Sequence, residues 1–183
     1  MQQPKVIDNK QMGRVIDELR QGIKSGAKLS VISAYFTIYA YEELKKELSH
    51  IDELRFIFTI PSYIKQEKDF QREFYIARRE FGNKLSGNEF ELKLRNKLTQ
   101  SAIAKDCAQW MRQKVKIKSY REHNIAQARL AYVENKNPDE DVAIQGALDF
   151  SSDGLGITPS ERIDMNTCIY GREMAQAYMQ VFA

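Results

Sequence analysis

Residues 143–158, AIQGALDFSSDGLGIT, pass from an apolar strand-like run into glycine, small and hydroxylic residues, with a second glycine pair at Gly154 and Gly156. Backbone N–H groups and hydroxyls in such a turn are what hold a phosphate. The same residues serve equally as a tight turn, with Ser151, Ser152 and Asp153 bonding back to the main chain. Chemistry on a phosphate also needs a nucleophile or a general base nearby. His50 ends a helical pattern and reads as its C-terminal cap. His123 precedes an apolar run and reads as a structural or surface residue. Cys168, His123 and Asp149 can be drawn as a thiol triad, but Cys168 lies inside an apolar strand pattern, where a buried and inert thiol is the rule. Asp139, Glu140 and Asp141 share one turn and read as solvated. No set of metal ligands can be assembled, so neither a metal nor a cofactor is expected. The Gly-Leu-Gly at Gly154–Gly156 lacks the setting of a dinucleotide fingerprint. No Gly-x-x-x-x-Gly-Lys-Ser/Thr occurs, which excludes ATP binding through a phosphate-binding loop of that kind.

The elements that must position these residues follow from periodicity. Asn9 is a candidate N-cap for a helix carrying Val15, Ile16, Leu19 and Ile23 at helical spacing, with Gly26 as its stop. KLSVISAYF (28–36) is short, apolar and β-branched and predicts a buried strand. IYAYEELKKELSH (38–50) returns to helical period with Tyr41, Leu44 and Leu48 on one face. ELRFIFTI (53–60) is a second strand, closed by Pro61. Strand, helix and strand at this spacing predict a parallel pair. Residues 62–81 are charged and rich in helix formers, and GNKLSGN (82–88) breaks them. FELKLRNKLTQSAIAKDCAQWMRQKV (90–115) predicts a long helix with Leu94, Leu98, Ile103, Cys107 and Trp110 as its buried stripe. VKIKSY (115–120) alternates like a half-buried strand. ARLAYVEN (128–135) and DVAIQGALDF (141–150) predict a hairpin across KNPDE. RIDMNTCIY (162–170) is a last strand and REMAQAYMQVF (172–182) a closing helix. The expected architecture is one α/β domain over 1–183: a mixed sheet flanked by helices, with a basic helical insertion at about 62–114.

Bulk properties bound the function. The chain has 183 residues, 43% of them hydrophobic and 10% aromatic, enough for one packed core. No apolar run approaches the roughly 18 residues of a membrane span, and MQQPKVIDNK lacks the apolar centre of a signal peptide. Two cysteines cannot make a disulfide framework, so a reducing cytoplasm is the expected compartment. The net charge of +3 hides an asymmetry: residues 65–121 hold 15 Lys/Arg against 7 Asp/Glu, a balance of +8. Such a segment suits a polyanion, although an ion-paired solvated helix face has the same composition.

The order strand, small-residue turn, strand, glycine loop resembles the phospholipase D superfamily. That family's motif is His-x-Lys, four residues, Asp, then Gly-Ser-x-Asn. Its histidine attacks phosphorus, its lysine and asparagine hold the oxygens that gain charge, and its aspartate orients an imidazole. Laid on this chain, the resemblance puts Gln127 in the nucleophile slot, Arg129 in the cation slot and Glu134 in the aspartate slot. Gly146, Ala147 and Asp149 take the Gly, Ser and Asn slots. A cation and a glycine are kept. A carboxamide stands for the nucleophile and an acid for the asparagine, so no catalytic residue is expected. KLSVISAYFTIYAYEELKKEL, ELRFIFT and SSDGLGITPSERIDMN resemble the phospholipase D-like domain found ahead of bacterial superfamily 2 helicases, including Swi/Snf-type ones. EFELKLRNKLTQSAIAKDCAQWMRQKVKIKS is similar to a subgroup with an eroded motif. The resemblance implies a setting in restriction, phage defence or mobile-element loci. No helicase motor is present, and the chain stopping just after a helix is compatible with a fragment of a longer protein.

Three functions follow as expectations. The first is a non-catalytic accessory domain that binds DNA backbone or docks to the rest of a helicase chain or a partner subunit. Its phosphate contacts would come from Lys93, Arg95, Lys97, Arg112, Lys114, Lys116, Lys118 and Arg129, with Lys65, Arg72, Arg78 and Arg79 from the same segment. Tyr63, Phe74, Tyr75 and Trp110 either stack on bases or fill the core. The second is a homodimerisation or protein-docking unit. The third is a metal-independent nuclease, which requires a replacement nucleophile.

Overall fold

The computed structural model describes residues 2–59, 89–119 and 128–178; for 89–100, 118 and 119 the backbone alone is described. In chain order the elements are β1 (Lys5–Ile7), α1 (Val15–Gly22), β2 (Lys28–Ser33), α2 (Ile38–Ser49), β3 (Glu53–Phe58), α3 (Glu89–Lys114), β4 (Val115–Ser119), β5 (Leu130–Glu134), β6 (Val142–Gly146), β7 (Asn166–Tyr170) and α4 (Arg172–Ala175), with a 3-10 turn at Pro138–Glu140 between β5 and β6. The strands form one sheet in the order β1-β7-β6-β5-β2-β3-β4. β2, β3 and β4 run parallel and the remaining neighbours antiparallel. The expected mixed sheet flanked by helices is the observed one.

Each helix lies where its apolar stripe dictates. Val15, Ile16 and Leu19 of α1, Tyr41, Leu44 and Leu48 of α2, and Cys107 and Trp110 of α3 join one core with Leu29, Val31, Leu54 and Phe56 of the sheet. α4 packs on the opposite face, where Ala175 meets Ile32, Ile57, Leu130 and Tyr132. Burying each large side chain contributes about 1.5–3 kcal/mol before the entropy of ordering it. The Trp110 indole donates to the Leu48 carbonyl at 3.1 Å, and Lys114 Nζ donates to the Ile51 carbonyl at 2.9 Å. The end of the stretch expected as an insertion, from Cys107 to Lys114, is therefore anchored on the core, and α3 leads directly into β4. Its stripe holds at Cys107 and Trp110, while Ile103 is only half-buried. Leu94 and Leu98 lie outside the described side chains, and residues 62–88 outside the described residues.

Several boundaries differ from the sequence reading. β1 is three residues long and was unread because a three-residue strand has no period. α1 starts at Val15, not beside Asn9. Asn9 still caps it from a distance: its backbone is left-handed at φ 60°, and its Oδ1 accepts from Val15 N at 2.9 Å. The hairpin strands are shorter than read, and β6 stops at Gly146. The last strand begins at Asn166, not Arg162. α4 is a single turn extended by 3-10 geometry to residue 178.

Candidate functional site

Strand directions bring one set of chain positions to one end of the sheet. β2 ends at Ser33, β5 begins just after Arg129, β6 ends at Gly146 and β7 begins at Asn166. Gly146 turns the chain there with φ 154° and lies so close to β7 that a Cβ would sit 2.3 Å from the Met165 carbonyl oxygen. The buried Asn166 braces the turn: its Oδ1 accepts from Ala147 N at 2.9 Å and its amide donates to the Asp164 carbonyl at 3.0 Å. Leu148 and Phe150 then enter the core. Phe150 stacks on Phe36 at 5.2 Å and meets Phe56 edge-on at 6.2 Å. With both neighbours anchored inward, the side chain of Asp149 turns toward the end of β2.

Asp149 Oδ1 collects three donors. Arg129 Nε donates at 2.7 Å, Ala34 N at 2.9 Å and Ser33 Oγ at 3.0 Å. The Ser33 hydroxyl has one proton, shared with the Tyr35 carbonyl at 2.7 Å, and it accepts from Phe150 N at 2.9 Å. Arg129 and Asp149 form a half-buried ion pair. The carboxylate takes the donors that a cation and an amide would otherwise offer to an incoming anion.

The sequence-derived positions separate into three groups. Arg129, Gly146 and Asp149 come together at this end of the sheet. Glu134 does not: it lies at the far end of β5, about 17 Å along a five-residue strand, and its carboxylate lies 3.9 Å from the Arg55 guanidinium. It cannot orient a group beside Arg129. Gln127 and His123 lie outside the described residues. Ser33, Ala34 and Asn166 were missed. Asn166 had a signal, since asparagine is depleted in strands; Ser33 and Ala34 had none, being 116 and 115 residues from their partner.

The glycine loop that raised the phosphate question directs its amides inward. Leu155 N, Gly156 N, Ile157 N and Thr158 N donate to Ser151, Asp153, Ser152 and Ser152 carbonyls, and Gly154 N donates to Ser151 Oγ. The Leu155 carbonyl accepts from Ile16 N, so the loop seats α1. It is a scaffold turn. The thiol triad also fails: Cys168 is fully buried, and burial pushes its pKa up to about 12, as it does for Cys107.

One expectation is corrected outright. Asp141 is not solvated but fully buried. Its Oδ2 accepts from Tyr132 Oη at 2.6 Å and Arg172 Nε at 2.8 Å, and its Oδ1 from Asn135 N at 2.8 Å. Burial and this carboxylate hold the Tyr132 phenol above its ordinary range. Asp139, two residues earlier, is exposed as expected.

The basic candidates are partly committed within the fold. Lys114 caps Ile51, Lys116 pairs with Glu53 at 2.5 Å, and Arg129 pairs with Asp149. Arg112 is exposed. The side chains of Lys93, Arg95, Lys97 and Lys118 are not described, and Lys65, Arg72, Arg78 and Arg79 lie outside the described residues. Among the described residues no three His, Cys, Asp or Glu side chains come together, and no helix is long and apolar enough to cross a membrane.

No family model matches the chain, and no curated protein matches it. Solved structures do. Nuc from Salmonella typhimurium, a phospholipase D family member, superposes with a TM-score of 0.50 at 10% identity, covering 97% of this chain and 91% of that one. NucT from Helicobacter pylori superposes with a TM-score of 0.50 at 12% identity, covering 97% and 93%. At such identities the likeness is one of fold, and the chain has the phospholipase D-like fold.

Proposed function

We propose that the chain is a phospholipase D-like accessory domain that contacts DNA and does not cut it, in the service of a helicase or restriction-type DNA-processing partner. The observation that carries this reading is the Arg129–Asp149 pair: the residue in the cation slot is spent on a carboxylate in the asparagine slot. An anion held there opposes the charge that builds on phosphorus in a phosphodiester transition state. Gln127, in the nucleophile slot, cannot form a phosphoryl–enzyme bond or shuttle a proton near neutral pH. The +8 balance over residues 65–121 supports backbone contact without base reading.

The test pairs two measurements on the full chain. Fluorescence polarisation with a labelled duplex and a labelled single strand is expected to show binding at about 50 mM salt that weakens at least tenfold by about 200 mM. The same mixtures, incubated with EDTA, are expected to show no cleavage above buffer. Metal-independent cleavage, or no binding at low salt, overturns the reading.

A second reading, a homodimerisation module, is favoured by one observation. Tyr35, Ile163 and Met165 are exposed, and Tyr35 follows β2 while Ile163 and Met165 precede β7. They flank Arg129 and Asp149 at the same end of the sheet. Exposed apolar side chains at one end of a sheet, here on either side of β5 and β6, suit an interface. Light scattering after size exclusion at tens of micromolar decides: a dimer split by Met165→Lys supports this reading, and a monomer ends it.

A further inference from the structure

The inward side of α3 is fixed. Cys107 and Trp110 enter the core, Tyr41 of α2 packs on the indole with ring centres 5.1 Å apart, and Lys114 caps Ile51. One flank is tied to α2 by the Lys45–Asp106 ion pair. On the outward side Ser101, Lys105, Gln109 and Arg112 follow one another at steps of four, four and three residues, which makes them one stripe, and all four are exposed. Neither Lys105 nor Arg112 makes a hydrogen bond or ion pair with another described residue. Between Ser101 and Lys114 the sole acid is Asp106, and Lys45 neutralises it. We propose that this stripe is a docking surface for the phosphate backbone of duplex DNA, with Lys105 and Arg112 as its charged contacts and Ser101 and Gln109 as neutral donors beside them.

The proposal rests on the DNA-contacting reading and gives it a surface. Arg129 and Lys116 are paired with acids inside the fold, whereas Lys105 and Arg112 are not. Two helical turns separate these two cations, about 10 Å along the axis, so they meet different phosphates instead of competing for one. A duplex suits the stripe better than a single strand does. Single strands are held by bases stacked on exposed aromatic rings, and the stripe has none. Trp110 is only 7% exposed and its N–H is spent on the Leu48 carbonyl, and Tyr41 is 2% exposed. The helix is anchored before any ligand arrives, so little ordering entropy is lost on docking.

The test is a polarisation titration of a labelled duplex with the full chain, repeated over a series of salt concentrations. Lys105→Gln combined with Arg112→Gln is expected to weaken binding at low salt by roughly tenfold, and to flatten the slope of log affinity against log salt by about 1.8, the share of two phosphate contacts. Glutamine is a good helix former, so α3 is expected to keep its helicity by circular dichroism. Lys24→Gln combined with Lys136→Gln removes the same charge from two other exposed positions, in the loop after α1 and just past β5, and is expected to leave the affinity within about twofold of wild type. Lys105→Arg combined with Arg112→Lys is expected to bind as wild type does, because the contacts need only charge. A loss in the α3 glutamine pair no greater than in the control pair overturns the proposal. So does a matching loss in the charge-conserving swap, or tighter binding of the single strand than of the duplex. Wild type that binds no duplex at low salt sinks the DNA-contacting reading along with it, whereas duplex binding indifferent to α3 sinks this surface alone.

Discussion

Replacing Asp141 by alanine is expected to destabilise the fold by about 3–5 kcal/mol, the range for removing one partner of a buried ion pair. The reason lies in what stays behind. Tyr132, almost fully buried, loses the acceptor for its hydroxyl, and Asn135 N loses the acceptor 2.8 Å away. Each stranded buried donor costs about 1–3 kcal/mol. Arg172 suffers less, because its side chain is partly exposed and can return to water, and it keeps the Asn135 carbonyl at 2.7 Å. Arg172→Ala should therefore cost distinctly less than Asp141→Ala, although it also frees α4. Asp141→Asn should fall between them, since one oxygen still accepts while the amide nitrogen faces donors. Asp139→Ala, in the same turn but exposed, should stay within about 0.5 kcal/mol of wild type. For a chain of this size 1 kcal/mol moves the melting temperature by roughly 2–4 °C, so denaturant midpoints and circular dichroism separate these four variants. An Asp141→Ala protein within 1 kcal/mol of wild type would show that the network contributes nothing.

That contrast marks where sequence reading stops. In Asn137-Pro138-Asp139-Glu140-Asp141 three consecutive acids look alike, and only the register of β5 against β6 decides which turns inward. Period and composition carry local information well. They place β2, α2 and β3, the buried face of Tyr41, Leu44 and Leu48, and the cap at His50, whose Nδ1 lies 2.7 Å from the Lys46 carbonyl. They fail where a residue acts through a distant partner. Ser33 reads as one more small residue in an apolar strand, yet it meets Asp149 and Phe150. The glycine loop fails differently: its residue types suit both an anion nest and a closed turn, and the direction of its amides is set by the need to seat α1 and Asn9. Of the positions singled out in the sequence, Arg129, Gly146 and Asp149 are brought by the fold to one end of the sheet. Glu134 matched by spacing alone, because a strand five residues long carries it away from the others.

Alanine at Gly154 is expected to be, with alanine at Gly146, among the most damaging small substitutions in the described chain. A Cβ there would lie 2.3 Å from the Asp149 carbonyl oxygen and 2.4 Å from Asp149 N. Both are backbone atoms, so no rotamer change relieves the overlap. Either the loop at 151–158 or the segment at 149–150 must move. Moving the loop breaks Ile16 N to the Leu155 carbonyl and Asn9 Nδ2 to the Gly154 carbonyl, unseating α1. Moving the segment pulls Phe150 from between Phe36 and Phe56 and carries Asp149 away from Arg129. Overpacking a core commonly costs about 1–3 kcal/mol, and a clash against the backbone N, C and O of one residue belongs at or above the top of that range. Gly171 provides the control: its backbone stands at φ 85° and ψ 145°, a region that glycine alone adopts readily, but nothing lies within 4 Å of an added Cβ, so alanine there meets only backbone strain, about 1–3 kcal/mol. The expected order of melting temperatures is wild type, then Gly171→Ala, then Gly154→Ala. If the last two came out equal, backbone conformation and not the close approach to Asp149 would be the reason for glycine at 154, and the packing argument for the position of Asp149 would fall with it.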